Sequence, residues 1–202
     1  MSIEDKLARA PEIKESFPKN EITFAYLKPR FGDLLPEVEK MLNEQGLEVI
    51  YHDRVRLTPE AVDFIYRQYK DAHFFEVMKD YLVNNDVVVL LIGGKKKQAQ
   101  KILFGLKKEG GEDGLIRKKF KRDPMVSPED FKLWEEGRHP RQHELTISLT
   151  QNNVIHTADT AEEALATLSM ILGPKFQEMK KEGNLPAELW EIFDSDEEKK
   201  IN

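Results

Sequence analysis

The sequence predicts an α+β domain: a four-stranded antiparallel sheet covered on one face by helices in the split βαβ, or ferredoxin-like, order, with an inserted loop and terminal extensions. Three observations carry that expectation. Runs of β-formers alternate with stretches of helical periodicity in the order β-α-β-α-α-β-α, followed by a strand and a helix. Residues 87–92 (VVVLLI) are apolar throughout, as a central strand buried on both faces requires. Helix signals fall where the pattern changes. Thr58-Pro59-Glu60 offers an N-cap, a proline at the first helical position and a first-turn acid, and Gly46 ends a helix as a left-handed residue would.

The elements follow in order. Ile22–Leu27 (ITFAYL) reads as the first strand and ends at Lys28-Pro29. Leu34, Leu35, Val38, Met41 and Leu42 form a helical stripe, and residues 47–57 are rich in β-formers. The helix begun at Thr58 carries Val62, Ile65, Tyr66 and Tyr69 on one face, and residues 74–83 form another short helix. Gly93-Gly94 end the central strand, and residues 95–106 return to helical spacing. Residues 145–149 read as β-rich, with the last strand following at 153–156. Asp159 or Thr160 then caps a helix with Ala161, Ala164, Leu165, Leu168 and Leu172 on its face, ending at Gly173-Pro174.

Residues 121–142 are charged, interrupted by proline and weakly periodic, with one amphipathic piece at 131–134, and read as a long loop or insertion. Past Lys175, the apolar anchors Phe176, Leu185, Leu189, Trp190, Ile192 and Phe193 are expected to dock before the acidic stretch 194–198. The expected organisation is an N-terminal extension at 1–20, a domain at 21–172 with an insertion at 121–152, and a C-terminal extension at 173–202.

Composition narrows the chemistry. The 202-residue chain has no cysteine, which excludes disulfides, Cys-ligated zinc, iron–sulfur clusters and thiol catalysis. Residues 1–17 lack an apolar stretch of signal-peptide length, and no run approaches the ~20 apolar residues of a membrane span. The expectation is a soluble cytoplasmic protein that does not enter membranes. The net charge is −6, yet residues 95–122 hold eleven Lys or Arg against three acids (Glu109, Glu112, Asp113), a local balance of +8. Such a segment reads either as a solvated, charge-alternating face or as a site for an anionic ligand. Nucleic acid is the less favoured anion, because the segment lacks interleaved aromatics and an RRM signature.

Among five histidines, His52 and His73 read as structural or surface residues, and Pro140 argues against a helix that would align His139 and His143 on a metal. His156 lies where an apolar stretch (Val154-Ile155) meets a capped helix. From its position alone it reads as a structural histidine or as a side chain presented to a cleft beside helix amides that favour phosphate. The segment Gly93-Gly94-Lys95-Lys96-Lys97 lacks the spacing of a Walker phosphate loop.

Four segments, taken in order, resemble the nucleoside diphosphate kinase family: Phe24-Ala25-Tyr26-Leu27-Lys28-Pro29, Tyr66 through Phe74-Phe75, Gly114-Leu115-Ile116-Arg117, and Asn153-Val154-Ile155-His156-Thr157-Ala158-Asp159. The resemblance spans about residues 21–172, with an apparent insertion between Phe120 and Asn153. It implies a ferredoxin-like domain and a ping-pong transfer of a terminal phosphoryl group from a nucleoside triphosphate to a nucleoside diphosphate through phosphohistidine. His156 would be the nucleophile, attacking as a neutral imidazole. Lys28 would contact the transferring phosphoryl, and Tyr66 would buttress the histidine. Arg117 would grip a phosphate oxygen, Asn153 the ribose, and Phe74 would stack on the base. Lys101 matches a position usually held by arginine. Mg²⁺ would bridge the nucleotide phosphates, and a homo-oligomer is implied.

The sequence also departs from the family pattern. Ala158 stands where a serine is usual, and Thr167 where a glutamate usually orients the second ring nitrogen. Glu163, one turn earlier, either substitutes for that glutamate or closes a capping box with Thr160. Lys107 falls where the phosphate-binding loop usually has threonine. The alternative reading is therefore a catalytically weakened nucleotide-binding sensor or scaffold on the same fold.

Overall fold

In a computed structural model, which describes residues 22–94, 98–122 and 126–182, the fold is built on a four-stranded antiparallel sheet ordered β2-β3-β1-β6. Its strands are β1 (Ile22–Leu27), β2 (Leu47–Val55), β3 (Val87–Gly94) and β6 (Ile155–Thr157). All three pairings are antiparallel, so the strand order and directions are those of the ferredoxin-like arrangement. The remaining strands, β4 (Lys108–Glu109) and β5 (Glu112–Asp113), form a small hairpin turned by Gly110 and Gly111, both at positive φ.

The helices are α1 (Leu35–Glu44), α2 (Pro59–Ile65), α3 (Phe75–Asn84), α4 (Ala99–Lys107), α5 (Leu115–Phe120), α6 (Pro128–Glu135), α7 (Gln142–Gln151) and α8 (Ala161–Lys181). Local chemistry explains several boundaries. The Thr58 hydroxyl accepts the Ala61 N–H at 3.2 Å ahead of Pro59, capping α2. Gly46 follows α1 at φ 77°, the left-handed conformation a glycine adopts without a Cβ clash. At α8, Thr160 accepts the Glu163 N–H at 3.1 Å, while the Glu163 carboxylate reaches back to the Asp159 N–H at 3.0 Å. That pair is a close variant of the capping box.

Helices cover both faces of the sheet, not the single face expected. Alternation along β1 is the reason, since both of its side-chain rows are apolar. Phe24 and Tyr26 pack with Val62, Ile65, Met78, Leu168 and Leu172 of α2, α3 and α8. Ala25 and Leu27 belong to a second cluster with Val38, Leu42, Leu103 and Ile116 of α1, α4 and α5.

Three other expectations are corrected. Residues 145–149, read as β-rich, lie inside α7. The β-forming tendency of LTISL gives way to packing, with Thr146 buried on a helix that lies against α3. The segment 121–142 is not all loop: Ser127 accepts the Asp130 N–H at 3.0 Å and Pro128 opens α6. Its S-P-E-D start is the same signal as that of α2. Finally, α8 does not end at Gly173-Pro174 but continues to Lys181 with Pro174 inside it. Pro174 faces solvent, and Phe176, fully buried against Tyr51 at 5.2 Å, anchors the continuing turn. The expected anchors beyond it, Leu185, Leu189, Trp190, Ile192 and Phe193, lie outside the described residues, as do residues 1–20, Lys95–Lys97 and the acidic stretch 194–198. Among the described residues, no helix is long and apolar enough to cross a membrane.

Leu168 is fully buried between α8 and the sheet, whereas Met170 is exposed on the same helix. Leu168→Ala is expected to destabilise the fold by about 2–5 kcal/mol. Met170→Ala should stay within about 0.5 kcal/mol of the parent. Urea unfolding monitored by circular dichroism checks both.

Candidate active site

Sheet register sets the site. His156 lies on the edge strand β6 directly opposite Tyr26 of β1, and their rings stack with centroids 5.0 Å apart and planes at 24°. Phe24, two residues earlier on β1, is 6.3 Å from the imidazole, and Tyr66, at the C-cap of α2, is 5.1 Å away. The Tyr26 and Tyr66 hydroxyls hydrogen-bond to each other at 2.5 Å in a buried setting. Burial raises both phenols above their ordinary value, so both keep their protons. One flank of the histidine is thus an aromatic wall with a closed hydrogen bond.

The backbone leading into β6 is held in a tight turn. Val154 has φ 69°, and the Ile155 N–H donates to the Asn153 carbonyl at 2.8 Å across it. A β-branched residue at positive φ in a three-residue turn is strained. Packing holds it there: Val154 is fully buried, and its carbonyl accepts the Lys28 N–H at 2.8 Å.

Three cations surround this strand, each donating to a backbone carbonyl. Arg117 Nη2 donates to Ile155 O at 3.3 Å and Lys107 Nζ to Thr157 O at 3.1 Å, the residues immediately before and after His156. Lys28 Nζ donates to Thr150 O at 2.6 Å, in the last turn of α7, where a helix presents its negative end. Lys28 and Lys107 are buried. Asp113 and Asp159 stand 3.7 Å and 3.4 Å from Arg117 and Lys107, while Lys28 has no carboxylate partner among the described residues. Burial first, then the neighbouring Arg117 and Lys107, holds the Lys28 ammonium well below its ordinary value. Burial likewise lowers Lys107 and Arg117. Burial is also the largest cause lowering His156, followed by the charges of Lys107, Lys28 and Arg117. The imidazole is therefore neutral at pH 7, with a nitrogen lone pair available.

These groups line one cleft of about 360 Å³, together with Tyr66, Tyr69, Phe74, Asn153 and Thr157. Arg117 Nε, Asn153 Oδ1 and Thr157 Oγ1 are buried without a protein partner, and all three belong to residues lining that cleft. Lys28, without a carboxylate among the described residues, and the orphaned Arg117 Nε–H suit anionic oxygens of a ligand, while the orphaned Asn153 Oδ1 suits a ligand hydroxyl. Gly114 enables the arrangement: a Cβ there would meet Gly105 O at 2.2 Å, so only glycine lets α5 bring Arg117 this close.

The structure brings His156, Lys28, Tyr66, Phe74, Arg117 and Asn153 to this cleft. It does not bring Lys101, which is exposed and lines a neighbouring, shallower pocket with Gln98, Gln100 and Ala161. The inner position on α4 belongs to Lys107, which sequence reasoning had registered only as a departure. Thr167 donates its hydroxyl to Glu163 O at 2.8 Å within α8. Glu163 is itself engaged by Arg67 and the Asp159 N–H. No described side chain hydrogen-bonds the imidazole. Sequence reasoning also missed the part played by α6 and α7: Trp134 of α6 stacks on Phe74 at 5.8 Å and 18°, and α7 supplies the carbonyl that holds Lys28.

A ferredoxin-like α+β domain with a neutral histidine set among cations for an oxygen-rich anion is the class of protein these observations define. No family profile matches the chain. Curated relatives do: the nucleoside diphosphate kinase of Erythrobacter litoralis is 29% identical over 102 residues, covering 48% of this chain and 73% of the relative. That of Methylobacterium radiotolerans is 29% identical over 104 residues, covering 50% and 74%. The crystal structure of nucleoside diphosphate kinase from Encephalitozoon cuniculi aligns with 74% of this chain and 87% of its own, at 18% identity and a TM-score of 0.46. Over about half of its length the chain is thus similar to curated nucleoside diphosphate kinases.

A histidine whose folded value is lowered binds fewer protons folded than unfolded. Its contribution to stability is present above the ordinary value of 6.5 and is lost as pH falls from there toward the folded value. Chemical-denaturation midpoints of the parent should therefore drop between pH 7 and pH 5 more than those of His156→Gln. In an NMR titration the His156 ring should stay neutral at pH 6, and Lys107→Met should shift its midpoint upward.

Proposed function

We propose that the chain transfers the terminal phosphoryl group of a nucleoside triphosphate to a nucleoside diphosphate through phosphorylated His156. The observation that carries this reading is the His156 ring between two cations clamped to the carbonyls on either side of it. In the first half-reaction the unprotonated ring nitrogen attacks the terminal phosphorus. The N–P bond forms, the bond to the bridging oxygen breaks, and the nucleoside diphosphate leaves with that electron pair. In the second, a terminal phosphate oxygen of another nucleoside diphosphate attacks the same phosphorus, and the imidazole leaves neutral.

Lys28, Lys107 and Arg117 draw charge from the phosphate oxygens as it shifts between them, inside a partly dry cleft where such interactions are strong. Lys107, and not the exposed Lys101, is the α4 lysine that lines this cleft. Tyr66, fixed by its bond to Tyr26, keeps the ring from turning away. The orphaned Asn153 Oδ1 accepts a ribose hydroxyl, and Phe74 stacks on the base. Among the described residues no cluster of three or more His, Asp or Glu can hold a metal. Mg²⁺ would enter as part of the Mg-nucleotide substrate, where it would offset phosphate charge. Homo-oligomeric assembly and a cytoplasmic setting belong to the same proposal.

A second reading, a nucleotide-binding sensor or scaffold with weakened chemistry, is favoured by one observation: among the described residues no carboxylate bonds the imidazole, and Thr167 is bonded within its own helix. Phosphoryl transfer from Mg-ATP to a second nucleoside diphosphate separates the two. Turnover by the parent that vanishes in His156→Ala is the expected result. In Lys28→Met the rate should fall by about 10²-fold or more, the typical cost of removing one preorganised transition-state contact. Nucleotide binding without turnover by the folded parent would favour the sensor reading.

A further inference from the structure

We propose that Trp134, in the inserted helix α6, is a positioning residue for the nucleoside base: it fixes the Phe74 ring as a stacking platform, so affinity for the nucleoside part of the ligand runs through the insertion. This inference rests on the nucleotide reading of the cleft. Phe74 lines the cleft and Trp134 does not, so the indole backs the phenyl ring and leaves its cleft side open. The two rings are nearly parallel, 18° apart with centroids at 5.8 Å, in an offset stack.

The indole is itself pinned. Its Nε1–H donates to Thr146 Oγ1 at 2.9 Å in a buried contact, which ties α6 to α7. His73 meets it edge-on at 4.9 Å, and Phe131 lies 5.5 Å away. Phe74, by contrast, sits at the N-cap of α3, where no side-chain hydrogen bond caps the helix. A ring pinned from behind loses little further freedom when a base stacks on its open face, and that saving appears as affinity. Two of the three cations at the phosphate end, Lys107 and Arg117, are held by the β6 carbonyls and do not depend on the indole.

The test compares two ligands on the full chain by calorimetry: Mg-ADP, which carries a base, and tripolyphosphate, which does not. Trp134→Leu is expected to weaken Mg-ADP by about three- to tenfold, the span of a lost aromatic pair, and to leave tripolyphosphate unchanged. Trp134→Phe restores a ring behind Phe74 and should recover most of the Mg-ADP affinity. Thr146→Val removes only the hydrogen bond and serves where the larger change costs the fold; it should weaken Mg-ADP in the same sense by about twofold. Unchanged Mg-ADP affinity in folded variants, or equal weakening of both ligands, overturns the inference while leaving phosphoryl transfer by the parent intact. A parent that binds tripolyphosphate but not Mg-ADP overturns the inference together with the nucleotide reading beneath it.

Discussion

Crowding of like charge around one uncharged ring is the constraint on which the rest of the structure depends. Lys28, Lys107 and Arg117 are drawn from solvent into one cleft, and each spends its hydrogen bonds mainly on backbone carbonyls. A carbonyl orients a cation without cancelling its charge. Fully compensating carboxylates would have made a stable but closed ion-pair network. Here the positive potential remains for a ligand, and the histidine responds by staying uncharged.

The fold supplies the anchors that make this tolerable. The cations come from separate elements: the end of β1, the last turn of α4 and the short α5. All converge on β6 and the turn before it. Because β6 is an edge strand only three residues long, its neighbouring segments are free to face the cleft, while register with β1 fixes His156 against Tyr26. Strain at Val154 is offset by its burial and by its backbone bond to Lys28, so the turn that aims the histidine also ties down the adjacent cation. The paired helices α6 and α7 hold both ends of the same cleft, through the Thr150 carbonyl at one and Trp134 at the other.

Much of this was legible in the sequence where the signal is local. The four sheet strands, the Thr58 cap and the Gly46 stop follow from residue chemistry over one turn or less. The sheet order followed from the succession of elements, but coverage of both faces did not. A strand with two apolar rows such as Ile22–Leu27 says that both faces are buried, not which helix lies on which. Residues 145–149 misled because β-branched content outweighed the i, i+4 spacing of Leu145 and Leu149. Pro174 misled because the helix runs through it, with Phe176 two residues on buried against Tyr51. In the cleft, the histidine, Lys28, Arg117 and Asn153 were found through the family resemblance. Lys107 was not assigned there, since nothing in a helix-end lysine announces that it turns inward. Whether Glu163 would orient the nucleophile or cap its helix was left open by the sequence; the structure shows the cap.

The most direct measurement of the central claim is to incubate the folded protein with Mg-ATP, quench at alkaline pH, and locate the phosphoryl group by peptide mass spectrometry. The account predicts a single acid-labile phosphoryl group on the peptide carrying His156, discharged when a nucleoside diphosphate is added. A folded, nucleotide-bound protein that acquires no phosphoryl group on His156, or acquires one on another residue, would contradict it.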